Sequence, residues 1–301
     1  MTDPNRFCYT RVMPPLHWVL ALLVILIWGF NFVVIKIGLN EIPPLLLACA
    51  RFFLTSIPAV FFIKRPPVPF GDVIWYGLIT FALQFGLLFL GMSAGVDPGL
   101  ASILLQTHVF FTTLLGILIF KETLHIWQII GACMSFAGIA IVGLNVGGSL
   151  TGLGFCLVIA SAISWGVGNV LSKKIGKVDM AALVIWGSFI GWPLLLLASI
   201  FIDGPDKILS AFEQLSSIGV GAVLYITYLS TLFGFGVWSW LIHHHPLGKI
   251  APLTLMVPIL ALLSSSLVLG EPLQSWKILA CVLVIGGLCV NLFGKRINDL
   301  F

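Results

Sequence analysis

Charge is scarce in this chain of 301 residues: only 9% are Asp, Glu, Lys or Arg, against about 25% in a soluble globular domain. That shortage excludes a water-soluble protein, because 59% hydrophobic residues at a mean hydropathy of +1.13 leave too little polar surface to face water. No polar stretch is long enough to fold as a domain of its own. No phosphate-cradling P-loop and no HExxH occurs, so the chain is not expected to hydrolyse ATP or to be a membrane-embedded metallohydrolase. The six cysteines (Cys8, Cys49, Cys133, Cys156, Cys281 and Cys289) show no CxxC or metal-ligand spacing. They read as small apolar residues, and neither a metal nor a cofactor is expected.

What the chain has instead is long apolar runs. Stretches of roughly 20 residues, each long enough to cross a bilayer as a helix, recur from end to end. They place spans at 16–38, 43–63, 71–92, 98–119, 125–145, 150–171, 181–202, 215–241, 249–269 and 273–294. The connections are mostly about four to twelve residues long. An all-α integral membrane protein of ten helices follows, with short tails at 1–15 and 295–301. The first span is too long for the apolar region of a signal peptide and lacks a small-residue cleavage site.

The few charges orient the bundle. With the N-terminus in the cytoplasm, Arg6, Arg11, Lys64, Arg65, Lys121, Lys173, Lys174, Lys177, Lys249, Lys295 and Arg296 lie inside, and only Lys36, Lys207 and Lys277 outside. That asymmetry satisfies the positive-inside rule and puts both termini in the cytoplasm. The net charge of +4 therefore reflects loop bias and implies no nucleic-acid partner. Partners are expected to be the lipid bilayer and a small-molecule substrate, with the chain acting as a monomer or homodimer.

The two halves resemble each other. Trp28, Gly29, Asn31 and Lys36 of the first span are matched by Trp165, Gly166, Asn169 and Lys173 of the sixth, with Asn169 one position late. Glu122-Thr-Leu124 and Trp127 are matched by Glu271-Pro-Leu273 and Trp276, and Gly138 and Gly287 continue the same offset. The repeats are 16–145 and 150–294. Each holds five spans, an odd number, so the second copy enters the membrane from the opposite side. Inverted repeats give two states of similar energy, one open to each face, with the substrate between the repeats near mid-membrane.

At the level of motifs, Trp28-Gly-Phe-Asn31-Phe32-Val-Val-Ile-Lys36, Ala50-Arg51-Phe52, Gly99-Leu-Ala-Ser102 with Leu105-Gln106, and the Glu122/Glu271 repeat resemble the EamA family of the drug/metabolite transporter superfamily. The resemblance covers about residues 16–295. Around Asn31, Gln84 and Gln106 it is to the branch that exports cysteine and O-acetylserine. It implies a ten-helix inverted-repeat fold and export of small amino-acid-related metabolites.

Polar residues at lipid depth are the best site candidates, because a polar group facing hydrocarbon is costly unless it is paired or faces a cavity. Trp28 and Asn31 share a face of the first span. Gln84 lies in the third. Ser102, Gln106 and Thr113 form a stripe on the fourth, with His108 expected on another face. Ser161, Trp165 and Asn169 stack on the sixth, and Tyr228 sits too deep in the eighth to be a headgroup anchor, so it reads as cavity wall. The substrate-binding candidates are Trp28, Asn31, Gln84, Ser102, Gln106, His108, Trp165, Asn169 and Tyr228. Each has a structural alternative, an interhelical hydrogen bond or an anchor. His108, the only histidine deep in a span, is a candidate for proton coupling. Trp238 and Trp240 read as interfacial anchors, and His243-His244-His245 as a solvated loop.

Arg51 lies about 12 Å from the outer end of its span at 1.5 Å per residue. Unpaired charge there must face protein or water. It binds a substrate carboxylate, satisfies backbone carbonyls at a helix break or snorkels toward a headgroup. No Asp or Glu lies in the middle of a span; Asp72, Asp97, Glu122 and Glu271 sit near ends. The expected cargo is therefore neutral, zwitterionic or amphipathic. Pro98, Pro252 and Pro258 supply helix breaks. The sequence reads as a secondary exporter of small amino acids or their metabolites in the bacterial inner membrane, driven by the substrate or proton gradient. Export of drug-like or lipid-like compounds is the alternative. A membrane-embedded enzyme and a channel fit less well, the first for want of a catalytic constellation and the second for want of a selectivity ring.

Overall fold

The computed structural model describes residues 13–147, 150–176 and 178–298. Arg6, Arg11, Cys8 and Lys177 lie outside the described residues. Among the described residues ten helices are long and apolar enough to cross a membrane. They are α1 (Pro15–Leu39), α2 (Pro44–Phe61), α3 (Phe70–Ser93), α4 (Pro98–Phe120), α5 (Ile126–Leu144), α6 (Gly152–Ile175), α7 (Met180–Ile202), α8 (Ser217–His244), α9 (Ala251–Leu269) and α10 (Ser275–Gly294). Their bounds fall within a few residues of those the apolar runs imply. Between α7 and α8, where a plain connection was expected, a short surface helix runs over Pro205–Glu213.

Local chemistry sets the starts. Pro15, Pro44 and Pro98 occupy first-turn positions, where the missing N–H costs nothing and φ is already helical. Thr151, Asp179 and Ser216 cap α6, α7 and α8 through their side-chain oxygens, satisfying N–H groups that have no helical partner.

Side-chain ties identify the two ends of the bundle. Lys173 pairs with Glu122, Lys174 with Asp72 at 3.2 Å, and the Trp186 indole donates to the Ile63 carbonyl at 3.0 Å. These mark the terminal end, where α1 begins and α10 finishes. Opposite, at the distal end, Glu41 accepts from the Ser216 N–H and hydroxyl, and Asp203 accepts from Ser199 and from the Leu45 N–H. The Ser216 contacts hold the Glu41 carboxyl below its ordinary pKa of 4.5.

Helices pair where glycine lets backbones approach. α5 runs antiparallel to α10. A Cβ on Gly131 would strike the Gly287 carbonyl, one on Gly287 would strike the Gly131 carbonyl, and one on Gly138 would lie 2.9 Å from the Ala280 carbonyl. The Ser135 hydroxyl donates across the same seam to the Val284 carbonyl at 3.0 Å. Glu122 and Glu271 are 149 residues apart, and that offset exchanges Gly131–Gly287 with Ala280–Gly138. In the same way Gly29 of α1 abuts Leu260 of α9, and Gly166 of α6 abuts Phe111 of α4.

Two pairs of helices are irregular in the same places in each half. α3 carries a π-helical stretch at Leu78–Leu83 and α8 one at Tyr225–Phe233. α4 is interrupted by 3-10 turns at Gln106–Thr107, where Gln106 N–H bonds Ile103 and Thr107 N–H bonds Leu104. α9 begins as a 3-10 helix at Ala251–Leu255. Pro252 lies in that stretch and Pro258 in the first turn of the α-helical part, so the expected breaks sit at its entrance. Irregular backbone at membrane depth is tolerated where protein buries it or where it lines a cavity.

The helices α4 and α9 are packed unevenly. At the distal end the first half of α4 lies against α9, with Gly99 on Leu262. Their terminal halves make no comparable packing. The divergence leaves room in the middle of the bundle.

Candidate functional site

That room is a cavity of about 240 Å³, walled by α1, α2, α3, α4, α6, α8 and α9. Of the residues singled out from sequence, it brings together Trp28, Asn31, Arg51, Gln84, Ser102, Gln106, His108 and Trp165. Two are elsewhere. Tyr228 is 44% exposed and points outward, which corrects its reading as cavity wall: the π-helical stretch around it shifts the phase of α8. Asn169 donates to Thr112 at 3.0 Å and does not line the cavity. It locks α6 to α4, the structural alternative named for it.

His108 joins Gln106 on the cavity instead of facing away. The 3-10 turns at Gln106–Thr107 overwind α4, so residues on different faces of a regular helix come to share one. The His108 ring lies flat on Trp165, with centroids 4.0 Å apart and planes at 8°. Its Nδ1 is 2.9 Å from the Leu105 carbonyl. A carbonyl only accepts, so Nδ1 carries the proton and Nε2 of the neutral ring is an acceptor. Thr113 bonds back to Val109 and takes no part in the lining.

The sequence reading missed Phe235, Trp238, Ser230 and Thr254 as lining residues. Trp238 packs on Trp28 at 5.3 Å and Phe235 on the same ring at 5.4 Å, so Trp238 is a wall and not an interfacial anchor. Their spacing from Thr231, at i+4 and i+7, marks one helix face and was the available signal. Trp240 does take the outward position, 39% exposed beside His17 and His244. His243 and His244 belong to the last turn of α8, correcting the loop reading. His245 meets His17 at 2.7 Å. Among the described residues no group of three or more His, Cys, Asp or Glu is placed to hold a metal ion.

The electrostatics of the cavity are one-sided. Among the described residues that line it, Arg51 is the one with a formal charge. The side chain is 2% exposed and anchored by Nε, which donates to Thr231 at 2.8 Å. Its guanidinium lies 4.6 Å from the Phe85 ring centroid, a favourable cation–π placement. Nη1 has no partner, and neither does the side-chain oxygen of Asn31. An orphaned donor on a cation and an orphaned acceptor therefore both belong to cavity-lining side chains. Buried groups of this kind are rare, and unpaired ones point to a missing ligand or water.

A larger hollow of about 510 Å³ lies among the distal loops near Glu41, Asp203 and Lys207. Two of its three carboxylates, Glu41 and Asp203, are already engaged, and the third, Asp206, lies on the short surface helix.

Comparison with known proteins bears on this site. The family model described as the EamA-like transporter family matches twice, over residues 16–144 and 152–293. A Salmonella typhimurium protein called a probable amino-acid metabolite efflux pump is 38% identical over 286 residues, covering 93% of this chain and 95% of its own. An Escherichia coli protein of the same description is 39% identical over 285 residues, covering 92% and 95%. An uncharacterized Bacillus subtilis transporter, YoaV, is 30% identical over 281 residues, covering 90% and 94%. One solved crystal structure is similar with a TM-score of 0.59 at 17% identity, covering 95% of this chain and 99% of that one; it speaks for the fold alone.

Proposed function

We propose, proceeding from a chain that belongs to the EamA-like transporter family, that this multi-pass membrane protein exports small amino acids or amino-acid metabolites across the bacterial inner membrane by alternating access. The observation that carries the reading is the pair of orphaned groups, Arg51 Nη1 and the Asn31 oxygen, on one cavity. A zwitterion would satisfy both: its carboxylate at the guanidinium, its ammonium at the amide oxygen, with His108 Nε2, Gln84 and Gln106 as further partners. The descriptions of the two enterobacterial relatives support the same cargo class.

Size separates this from the second reading. The walls Trp28, Phe85, Trp165, Phe235 and Trp238 favour apolar or aromatic compounds, which keeps drug-like cargo in view. Yet about 240 Å³ falls under the roughly 300–1,000 Å³ of pockets that hold drug-sized ligands.

Alternating access follows from the repeats. With the terminal end in the cytoplasm, the diverging terminal halves of α4 and α9 make this the inward-facing state, and the packed distal halves form the closed outer side. Repacking α4 on α9 at the other end would give the outward-facing state at similar energy.

Counterflow tests the function. Proteoliposomes loaded with unlabelled cysteine, O-acetylserine or threonine are expected to take up the labelled compound saturably, with and without a pH gradient. Asn31→Ala is expected to raise KM about tenfold, the effect of losing one hydrogen bond to a charged group. Non-saturable flux would mean a channel. No uptake of any amino acid, with saturable uptake of an apolar amine, would favour the drug-like reading.

A further inference from the structure

The distal closure holds a cluster of charges that the transport cavity does not use. Asp97, the residue before α4, pairs with Lys277 in the first turn of α10 at 2.6 Å, their side chains 19% and 4% exposed. Glu271, between α9 and α10, accepts from the Ser265 hydroxyl of α9. Lys36 of α1 donates to the Met92 carbonyl at 3.3 Å. These are the charged groups that face one another here: two carboxylates, Asp97 and Glu271, and two ammonium groups, Lys36 and Lys277.

The cluster breaks the symmetry of the repeats. At the 149-residue offset, the counterparts of Asp97 and Lys277 are Pro246 and Gln128. Neither is charged, and Gln128 is occupied capping α5 through the His125 N–H. Among the described residues these two counterpart positions therefore form no equivalent ion pair. Conversely, Glu122 pairs directly with Lys173, while their counterparts Glu271 and Lys36 bond Ser265 and Met92.

The sides of the gate also differ. Asp97 belongs to α4, and Lys277, Glu271 and Ser265 all belong to the α9–α10 unit. Lys277 thus has one partner across the gate and one competitor on its own side, six residues away.

We propose that the Asp97–Lys277 ion pair latches the distal gate and that Glu271 trips it: ionised Glu271 takes Lys277 within the α9–α10 unit, freeing α4 to swing away. The proposal rests on the alternating-access reading. Protonated Glu271 cannot compete for Lys277, and the latch stays closed. Burial, then the charge of Asp97, push this carboxyl up to about 7, against the pull of Lys277 and Lys36. The sign follows: the gate opens more readily as the outside pH rises through about 7.

Thiol accessibility in right-side-out membrane vesicles tests this without any cargo. All six native cysteines are replaced by serine. Ser102, a cavity residue on the distal half of α4, becomes the single cysteine, labelled from outside by a membrane-impermeant maleimide. Rates are taken relative to Ser217→Cys, exposed on the distal side, which removes the intrinsic pH dependence of the thiol. Lys277→Gln is expected to speed labelling roughly tenfold, within the usual range of coupling energies. The charge swap Asp97→Lys with Lys277→Asp should restore the slow rate, which a merely misfolded gate would not do. Glu271→Gln should label slowly and lose the rise through neutral pH. Labelling in the parent that neither Lys277→Gln nor Glu271→Gln alters overturns the latch alone. A site that never labels from outside in any variant overturns alternating access, and the latch with it.

Discussion

Arg51→Gln is expected to abolish saturable exchange of zwitterionic amino acids while leaving the protein as stable as its parent, or more so. The two halves of this outcome have separate causes. Arg51 is buried, with Nη1 unpartnered, so in the empty transporter its charge is a cost and glutamine relieves it. With a carboxylate bound, the same charge is paired at a buried site. Removing one member of such a pair costs roughly 3–5 kcal/mol, about a hundredfold or more in kcat/KM. Arg51→Lys keeps the charge and loses the Nε bond to Thr231, so an intermediate loss is expected, because an ammonium cannot reproduce the planar fork. Counterflow and thermal unfolding in detergent, run on the same preparations, check both halves. An amino acid without its carboxylate, such as cysteamine in place of cysteine, should not distinguish parent from Arg51→Gln. Unchanged kcat/KM for cysteine in the variant would show that Arg51 is structural.

The second large effect concerns folding. Gly287→Val is expected to prevent assembly of the α5–α10 pair, whereas Gly286→Val is tolerated. A Cβ on Gly287 would strike the Gly131 carbonyl and the Ser135 hydroxyl, and would lie 2.9 Å from the Ser135 backbone nitrogen. Backbone on both sides cannot step aside as a side chain can, so the cost should exceed the roughly 1–3 kcal/mol of ordinary overpacking. Its neighbour Gly286 faces only the end of the Met134 side chain at 3.5 Å, which is flexible and has room. The yield of monodisperse protein and its thermal midpoint decide the matter: equal stability of the two variants would mean that the seam is not close-packed. Gly138→Val, related to Gly287 by the repeat offset, should fail in the same direction but less severely. Its nearest obstacles are the Ala280 carbonyl at 2.9 Å and the Val284 methyl at 3.0 Å.

Most candidates read from sequence share the cavity because they lie near mid-span on helices that pack around one axis. The failures have particular causes. His108 was assigned to the wrong face because a helical wheel assumes regular winding, and α4 is overwound at Gln106–Thr107. Tyr228 reads as cavity wall from its depth alone, yet in the π-helical stretch of α8 it faces outward. Trp238 was read as an anchor from its depth alone, although depth does not say whether a ring faces lipid or the bundle interior. Asp97 and Lys277 were counted as charges near span ends. That they bridge two helices 180 residues apart is invisible along the chain.

What the sequence by itself determined is therefore the ten spans and the repeat in them. Hydrophobic length and the matching of motifs are properties of a segment, whatever it packs against. Only the tertiary structure decided which polar groups share a cavity, which are spent on holding helices together, and which charges near span ends pair across helices. Those depend on the phase of each helix about its own axis, which one or two 3-10 or π turns reset. They depend equally on which neighbour supplies the missing hydrogen-bond partner once water is excluded.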